Sequence, residues 1–169
     1  MIKHHGHIPV TWDIEDFKNL NYEFGFYTSM PPLQTLVNVG HDPYRITIWK
    51  CQYPNAMPRG IENLNQYWPQ LSNLGTAVNL LTPGQYQPLH QDQYERYCNS
   101  FNLTDNDTVV RILVMPQDSV PGQMFQVHGK TYGNWKAGEW FSWTNAEYHA
   151  TYNFSNVNRY AIQLTGLLS

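Results

Sequence analysis

Charge is scarce in this sequence, and cysteine is scarcer still. Asp, Glu, Lys and Arg together make up 14% of the residues, the formal net charge is -3, and no block of basic residues occurs. A chain without a basic face has no electrostatic footprint for a phosphate backbone, so nucleic acid is not an expected partner. Cys51 and Cys98 are the two cysteines. They are too few for a disulfide scaffold and lack a CxxC spacing, so they read as buried reduced thiols. No apolar run reaches membrane-spanning length, and the opening residues, with His4, His5 and His7, contain no apolar signal-peptide segment. The expectation is a soluble, cytoplasmic protein without a membrane partner. Repeats, low-complexity segments and linkers are also lacking, and 169 residues suffice for one domain over 1–169.

Aromatic and turn-forming residues are plentiful. Six Trp, twelve Tyr and seven Phe stand among eleven Gly and eleven Pro, a composition that favours β-structure punctuated by tight turns. The N-terminal histidines read as a frayed or edge-strand terminus, with a short strand over 8–12. Asp13 suits a helix N-cap, and Ile14, Phe17, Leu20 and Tyr22 follow at helical spacing. Pro31 and Pro32 read as a break, followed by the segments 33–39 and 44–50, the latter alternating as a strand does, and by a second helix over 61–68. Strands are expected over 75–81, 108–115, 125–127, 130–132, 140–143, 148–154 and 159–168. The polar stretch 93–102 reads as a loop, and Asp105, Asn106 and Asp107 mark a turn.

The chemistry concentrates in the second half. His90 and Asp92 are two residues apart, so on an extended strand both side chains leave the same face. A second imidazole comes from His149. Two histidines and one carboxylate form the facial triad that holds a metal such as non-haem Fe(II) with coordination positions left open. Further on stands Arg159, whose planar guanidinium matches a carboxylate bidentately, as a lysine cannot. Arg111 interrupts the apolar run 108–115, where a charge is costly unless paired. It either faces outward or helps Arg159 to hold an anion. Thr151 and Gln163 share strand parity with His149 and Arg159 and are weaker candidates for contacts around the site. His128, at a turn, is the rival for the third ligand.

With these residues in place the chain resembles the Fe(II)/2-oxoglutarate-dependent oxygenases. Residues 81–92, with Pro83 and Gly84 ahead of His90 and Asp92, are similar to the lead-in of prolyl-hydroxylase-type members, and 122–127 to their mid-barrel strand. Residues 135–143, then His149, Asn153, Ser155 and Arg159, look closer to the aspartyl/asparaginyl β-hydroxylases. The resemblance covers about the C-terminal half. It departs from the first group at Leu81, where many members have a cosubstrate-binding Tyr, and from the second at Asp92, a carboxylate often missing there.

The resemblance implies a mainly β protein with a few flanking helices, built as a double-stranded β-helix, the jelly roll shared with cupins. It implies Fe(II) on His90, Asp92 and His149, and 2-oxoglutarate with its 2-oxo acid end on the iron and its far carboxylate on Arg159. Arg111 would adjoin it, as an arginine of the corresponding strand does in the aspartyl/asparaginyl branch. Dioxygen is the third reactant, and the outcome is hydroxylation of a C–H bond. The implied substrate is a peptide or protein side chain, prolyl favoured over aspartyl, with a small molecule such as a free amino acid left open. Two readings compete: a metal-free jelly-roll binding or structural module, and a cupin-type isomerase or dioxygenase that has no use for Arg159.

Overall fold

The computed structural model describes residues 4–24, 31–52, 55–92, 94–104, 108–144 and 146–168. The turn expected at 105–107 lies outside them. In chain order the elements are β1 (His5–His7), α1 (Ile14–Lys18), β2 (Glu23–Phe24), α2 (Pro31–Asn38), β3 (Trp49–Gln52), a 3-10 turn (Leu64–Tyr67), β4 (Leu71–Leu81), β5 (Tyr86–His90), α3 (Glu95–Phe101), β6 (Val109–Val114), β7 (Gln123–Val127), β8 (Lys130–Tyr132), β9 (Glu139–Thr144), β10 (His149–Asn153) and β11 (Arg159–Leu168). None of the described helices is long and apolar enough to cross a membrane.

Every pairing among these strands is antiparallel. The larger sheet runs β1-β9-β6-β11-β4-β3-β2, and the smaller runs β5-β10-β7-β8. The fold is a jelly roll, a double-stranded β-helix of two antiparallel sheets. Its central strand β11 pairs on both sides, with Ile162 opposite Val78 of β4 and opposite Val114 of β6.

Alternation along these strands separates two cores. Val78, Leu80, Val110, Ile112, Val114, Ile162 and Leu164 pack outward against Trp12, Phe17 of α1, Leu64 and Trp68. Leu113, Met115, Phe125, Phe141, Trp143 and Ala161 pack inward between the sheets. Strand β6 is therefore covered on both faces, which is why its sequence is a continuous apolar run and not an alternation. Each fully buried large side chain contributes about 1.5–3 kcal/mol of transfer free energy. Phe17, with no exposed surface, secures the N-terminal segment to the outer face.

Several elements differ from the sequence reading, each for a local reason. The segment 33–39, to which the sequence assigns no element, falls largely within α2. Pro31 and Pro32 open it, where the first turn's N–H groups lack intrahelical partners anyway, and Leu33, Leu36 and Val37 follow at helical spacing. The strand expected over 44–50 starts only at Trp49, because the Asp42 carboxylate and carbonyl take the N–H groups of Tyr44, Arg45 and Ile46 into a turn. Residues 8–12 form no strand, and the pairing with β9 is made by β1 instead. The helix over 61–68 shortens to the 3-10 turn, since Pro69 disfavours helical geometry at Trp68. Asp13 does cap α1, its side chain accepting from Glu15 N at 3.0 Å, but that helix ends at Lys18.

The loop expected over 93–102 holds α3. Tyr94, Tyr97, Cys98 and Phe101 fall at i, i+3, i+4 and i+7, a helical pattern masked by the polar residues between them. Asn102 ends the helix in the left-handed conformation, with φ 52, which asparagine tolerates better than most residues.

Candidate metal and anion site

Strands β5 and β10 lie side by side with His90 opposite His149. This cross-strand pairing puts the two imidazole centroids 4.3 Å apart. Asp92 stands just past the end of β5. Its Oδ1 is 3.8 Å from His90 Nε2, and its Oδ2 is 3.6 Å from His149 Nε2. One donor atom from each of the three side chains lies within 4.8 Å of the others. Bonds of about 2.0–2.2 Å to a shared ion need only small rotamer shifts from there.

The backbone also sets which ring nitrogen faces inward. His90 Nδ1 lies 2.7 Å from the Pro88 carbonyl and His149 Nδ1 lies 3.4 Å from the Glu147 carbonyl. A carbonyl only accepts, so Nδ1–H donates in each ring and the Nε2 lone pair turns toward Asp92, the tautomer a metal requires.

Arg111 does not face outward. It is 9% exposed on β6, with Nη2 3.2 Å from Asp92 Oδ2 and Cζ 4.8 Å from the Tyr94 ring centroid. Strand parity alone could not reveal this, because β6 is buried on both faces. Burial by itself would raise the Asp92 carboxyl, but Arg111, then His149 and His90, outweigh it and hold the group at about 2. Burial also dominates at His149 and pulls it down to about 4, against the opposing pull of Asp92. At neutral pH the site thus offers a carboxylate and a neutral imidazole.

Both shifts act in the same direction on stability. Between about pH 6.5 and 4 the unfolded chain takes up a proton that folded His149 refuses, and near pH 4 to 2 the same holds for Asp92. The metal-free protein should therefore lose stability on acidification, by about 3 kcal/mol from His149. Urea denaturation at pH 7 and pH 4.5 measures this, and His149→Phe should flatten the dependence.

Arg159 opens β11 and is 1% exposed. One Nη donates to Thr151 Oγ1, the other lies 3.9 Å from Met115 Sδ, and Cζ sits 5.0 Å from the Trp135 ring centroid. Its Nε has no hydrogen-bond partner, and among the described residues no carboxylate pairs with it. Burial alone lowers it to about 9, so it remains a cation at neutral pH. Arg159, Thr151 and all three triad residues line the same cavity of about 570 Å³. Leu81, Leu113, Phe125 and Ala161 supply apolar wall beside them.

Gln163 also faces this cavity and accepts at Oε1 from Asn79 Nδ2 at 2.9 Å. Asn79, a polar residue in an apolar strand, carries the same signal as Arg111 but escaped the sequence reading. Its Oδ1 is buried without a partner, as is Nε1 of Trp143, whose ring centroid is 4.5 Å from that of His149. His128 is not drawn into the triad. It turns its Nδ1 to Glu147 Oε1 at 2.6 Å and belongs to a separate group with His4.

Asn153 fixes the relative placement of His149 and Arg159. It is fully buried, and Nδ2 donates to the carbonyls of Leu81 at 2.8 Å and Val157 at 2.9 Å while Oδ1 accepts from Ser155 Oγ at 2.6 Å. Gly84 N–H adds a bond to the Asn153 carbonyl at 2.7 Å, tying in the Pro83–Gly84 turn. Asn153→Ala takes its donor from the buried Leu81 carbonyl and should cost about 1–3 kcal/mol in a denaturant titration.

No family model matches the sequence, and no curated protein matches it. Solved structures do resemble it. A Pseudomonas putida prolyl-4-hydroxylase is 12% identical with a TM-score of 0.50, over 90% of this chain and 95% of that one. A predicted oxalate decarboxylase from Thermotoga maritima is 15% identical with a TM-score of 0.48, over 89% and 96%. A cupin protein from Bacteroides fragilis is 12% identical with a TM-score of 0.39, over 61% and 72%. At 12% identity the likeness to the prolyl-4-hydroxylase supports the jelly-roll fold and nothing finer.

Proposed function

We propose that this chain is a single-domain Fe(II)- and 2-oxoglutarate-dependent oxygenase that hydroxylates a C–H bond. The observation that carries the reading is Arg159, a buried cation with a free Nε on the wall of the cavity that also holds His90, Asp92 and His149. A buried guanidinium without a counter-charge is costly, and an anionic ligand removes the cost. A small carboxylic acid that also reaches a metal satisfies both features at once. A cupin-type isomerase or a metal-free binding module leaves Arg159 without a purpose.

The donor set of two imidazoles and one carboxylate suits Fe(II), which with 2-oxoglutarate and dioxygen supplies the oxidising power for hydroxylation, succinate and carbon dioxide being released. The chain's own residues do the rest. His90 and His149 keep their Nε2 lone pairs directed at the metal position by giving Nδ1–H to backbone carbonyls. Arg111 keeps Asp92 ionised and oriented. Arg159 and Thr151 bind the far carboxylate of 2-oxoglutarate, and the apolar wall excludes water around it. The substrate is read as a peptide or protein side chain, prolyl favoured, on the sequence resemblance and on the fold shared with a prolyl-4-hydroxylase.

An anaerobic titration tests the reading. Fe(II)-loaded protein should bind 2-oxoglutarate on the order of a hundredfold more tightly than 2-oxobutyrate, which keeps the metal-binding end but lacks the far carboxylate. Equal affinities, or binding that ignores the metal, would remove the reading.

A further inference from the structure

A second group of metal-ligating side chains lies outside this cavity. His4, His128 and Glu147 come from three separate segments, and one donor atom from each falls within 4.8 Å of the others. The Ser142 N–H donates to the His4 carbonyl at 3.1 Å, carrying the β1–β9 ladder one residue beyond His5. His128 sits in the β7–β8 turn in the left-handed region, with φ 53, as a two-residue hairpin turn ending in glycine requires. Glu147 lies in the connection by which the chain passes from β9 in the larger sheet to β10 in the smaller.

The two inner ligands are already oriented. His128 Nε2 lies 2.8 Å from the Ser142 carbonyl, so Nε2 carries a proton and Nδ1 is the atom turned to Glu147 Oε1, 2.6 Å away. The other carboxylate oxygen, Oε2, accepts from Thr144 N–H at 2.7 Å. A ring N–H given to a carbonyl and a carboxylate braced by a backbone amide are the supporting contacts metal ligands characteristically have. At 2.6 Å the ring nitrogen and the carboxylate oxygen are held by a shared proton, and an ion with bonds of about 2.0–2.2 Å replaces that proton once the two atoms part by roughly 0.7 Å, a small rotamer change. The His4 ring, its centroid 4.4 Å from that of His128 on the solvent side, supplies the further ligand that such an ion takes. A proton is satisfied by Glu147 alone and has no use for a second imidazole, whereas an ion of the zinc type takes both imidazoles, the carboxylate and a water.

We propose that His4, His128 and Glu147 bind a divalent transition-metal ion of the zinc type that braces the two sheets. The ion joins the edge strand β1 of the larger sheet to the β7–β8 hairpin of the smaller. It also secures the connection that leads into His149, two residues beyond Glu147.

The test counts ions with Zn²⁺ and Co²⁺ as probes, in protein dialysed after loading. His90→Ala/His149→Ala, which silences the first site, should retain one ion per chain. It should also gain roughly 5–10 °C in Tm at a hundredfold excess of Zn²⁺ over Kd. Adding His4→Ala and His128→Ala to that protein should remove both the ion and the shift. Should the quadruple variant not fold, His4→Ala/His128→Ala in the otherwise unaltered chain should bind one ion where the parent binds two. A triad variant that retains no ion, or an ion retained without His4 and His128, would overturn the site and leave a plain imidazolium–carboxylate pair.

Discussion

Arg159→Met is expected to bind no measurable 2-oxoglutarate and yet, without ligand, to unfold at a higher temperature than the parent. Methionine fills similar volume and removes a cation that has Thr151 Oγ1 as its oxygen partner and a free Nε. Replacing a poorly compensated buried charge by a well-packed apolar side chain commonly gains about 1–4 kcal/mol. For a chain of this size that is a rise of several degrees in Tm. Function and stability are opposed at this position, as is usual where a binding group is held ready for an absent partner. Arg159→Lys should weaken 2-oxoglutarate binding about ten- to a hundredfold, because a point charge replaces a bidentate fork. Calorimetric titration and thermal melts on the same three proteins measure both effects. A loss of several kcal/mol in ligand-free Arg159→Met would make the guanidinium a structural group instead.

The second large effect is expected at Asp92. Asp92→Ala removes one of the three proposed ligands and leaves Arg111, 9% exposed, without its Asp92 partner. Metal affinity, read with Co²⁺ as probe, should fall more than about a hundredfold, and stability by about 3–5 kcal/mol, the usual cost of breaking a buried pair from one side. Asp92→Ala/Arg111→Met should recover most of the stability and none of the metal affinity. That separation distinguishes the two duties of the carboxylate. Metal binding unchanged in Asp92→Ala would remove this residue from the ligand set.

Residue type and spacing sufficed to single out His90, Asp92, His149 and Arg159, and the structure gathers these four around one cavity. His90 and Asp92 share a face by parity only where one strand carries both, whereas β5 ends at His90 and Asp92 lies just beyond. The direction of Arg111 was not legible, since a strand buried on both faces has no polar face to compare it with. Asn79 carries the same signal, a polar residue in an apolar run, without a spacing that ties it to the triad. Helix α3 was hidden because its apolar positions are aromatic residues and a cysteine set among polar neighbours, and α2 because two prolines at a helix start look the same in sequence as two that end one. The grouping of His4 with His128 and Glu147 follows from strand order alone. Only the pairing of β1 with β9 brings His4 beside the β7–β8 turn.

The central claim, that the triad and Arg159 together serve one metal-dependent oxidation, is tested most directly by following 2-oxoglutarate and succinate with the purified protein under air and under argon. The account predicts succinate formation that requires both Fe(II) and dioxygen and is abolished in Asp92→Ala and Arg159→Met. No succinate from the Fe(II)-loaded protein under air, or succinate formed equally well by the Asp92→Ala variant, would contradict it.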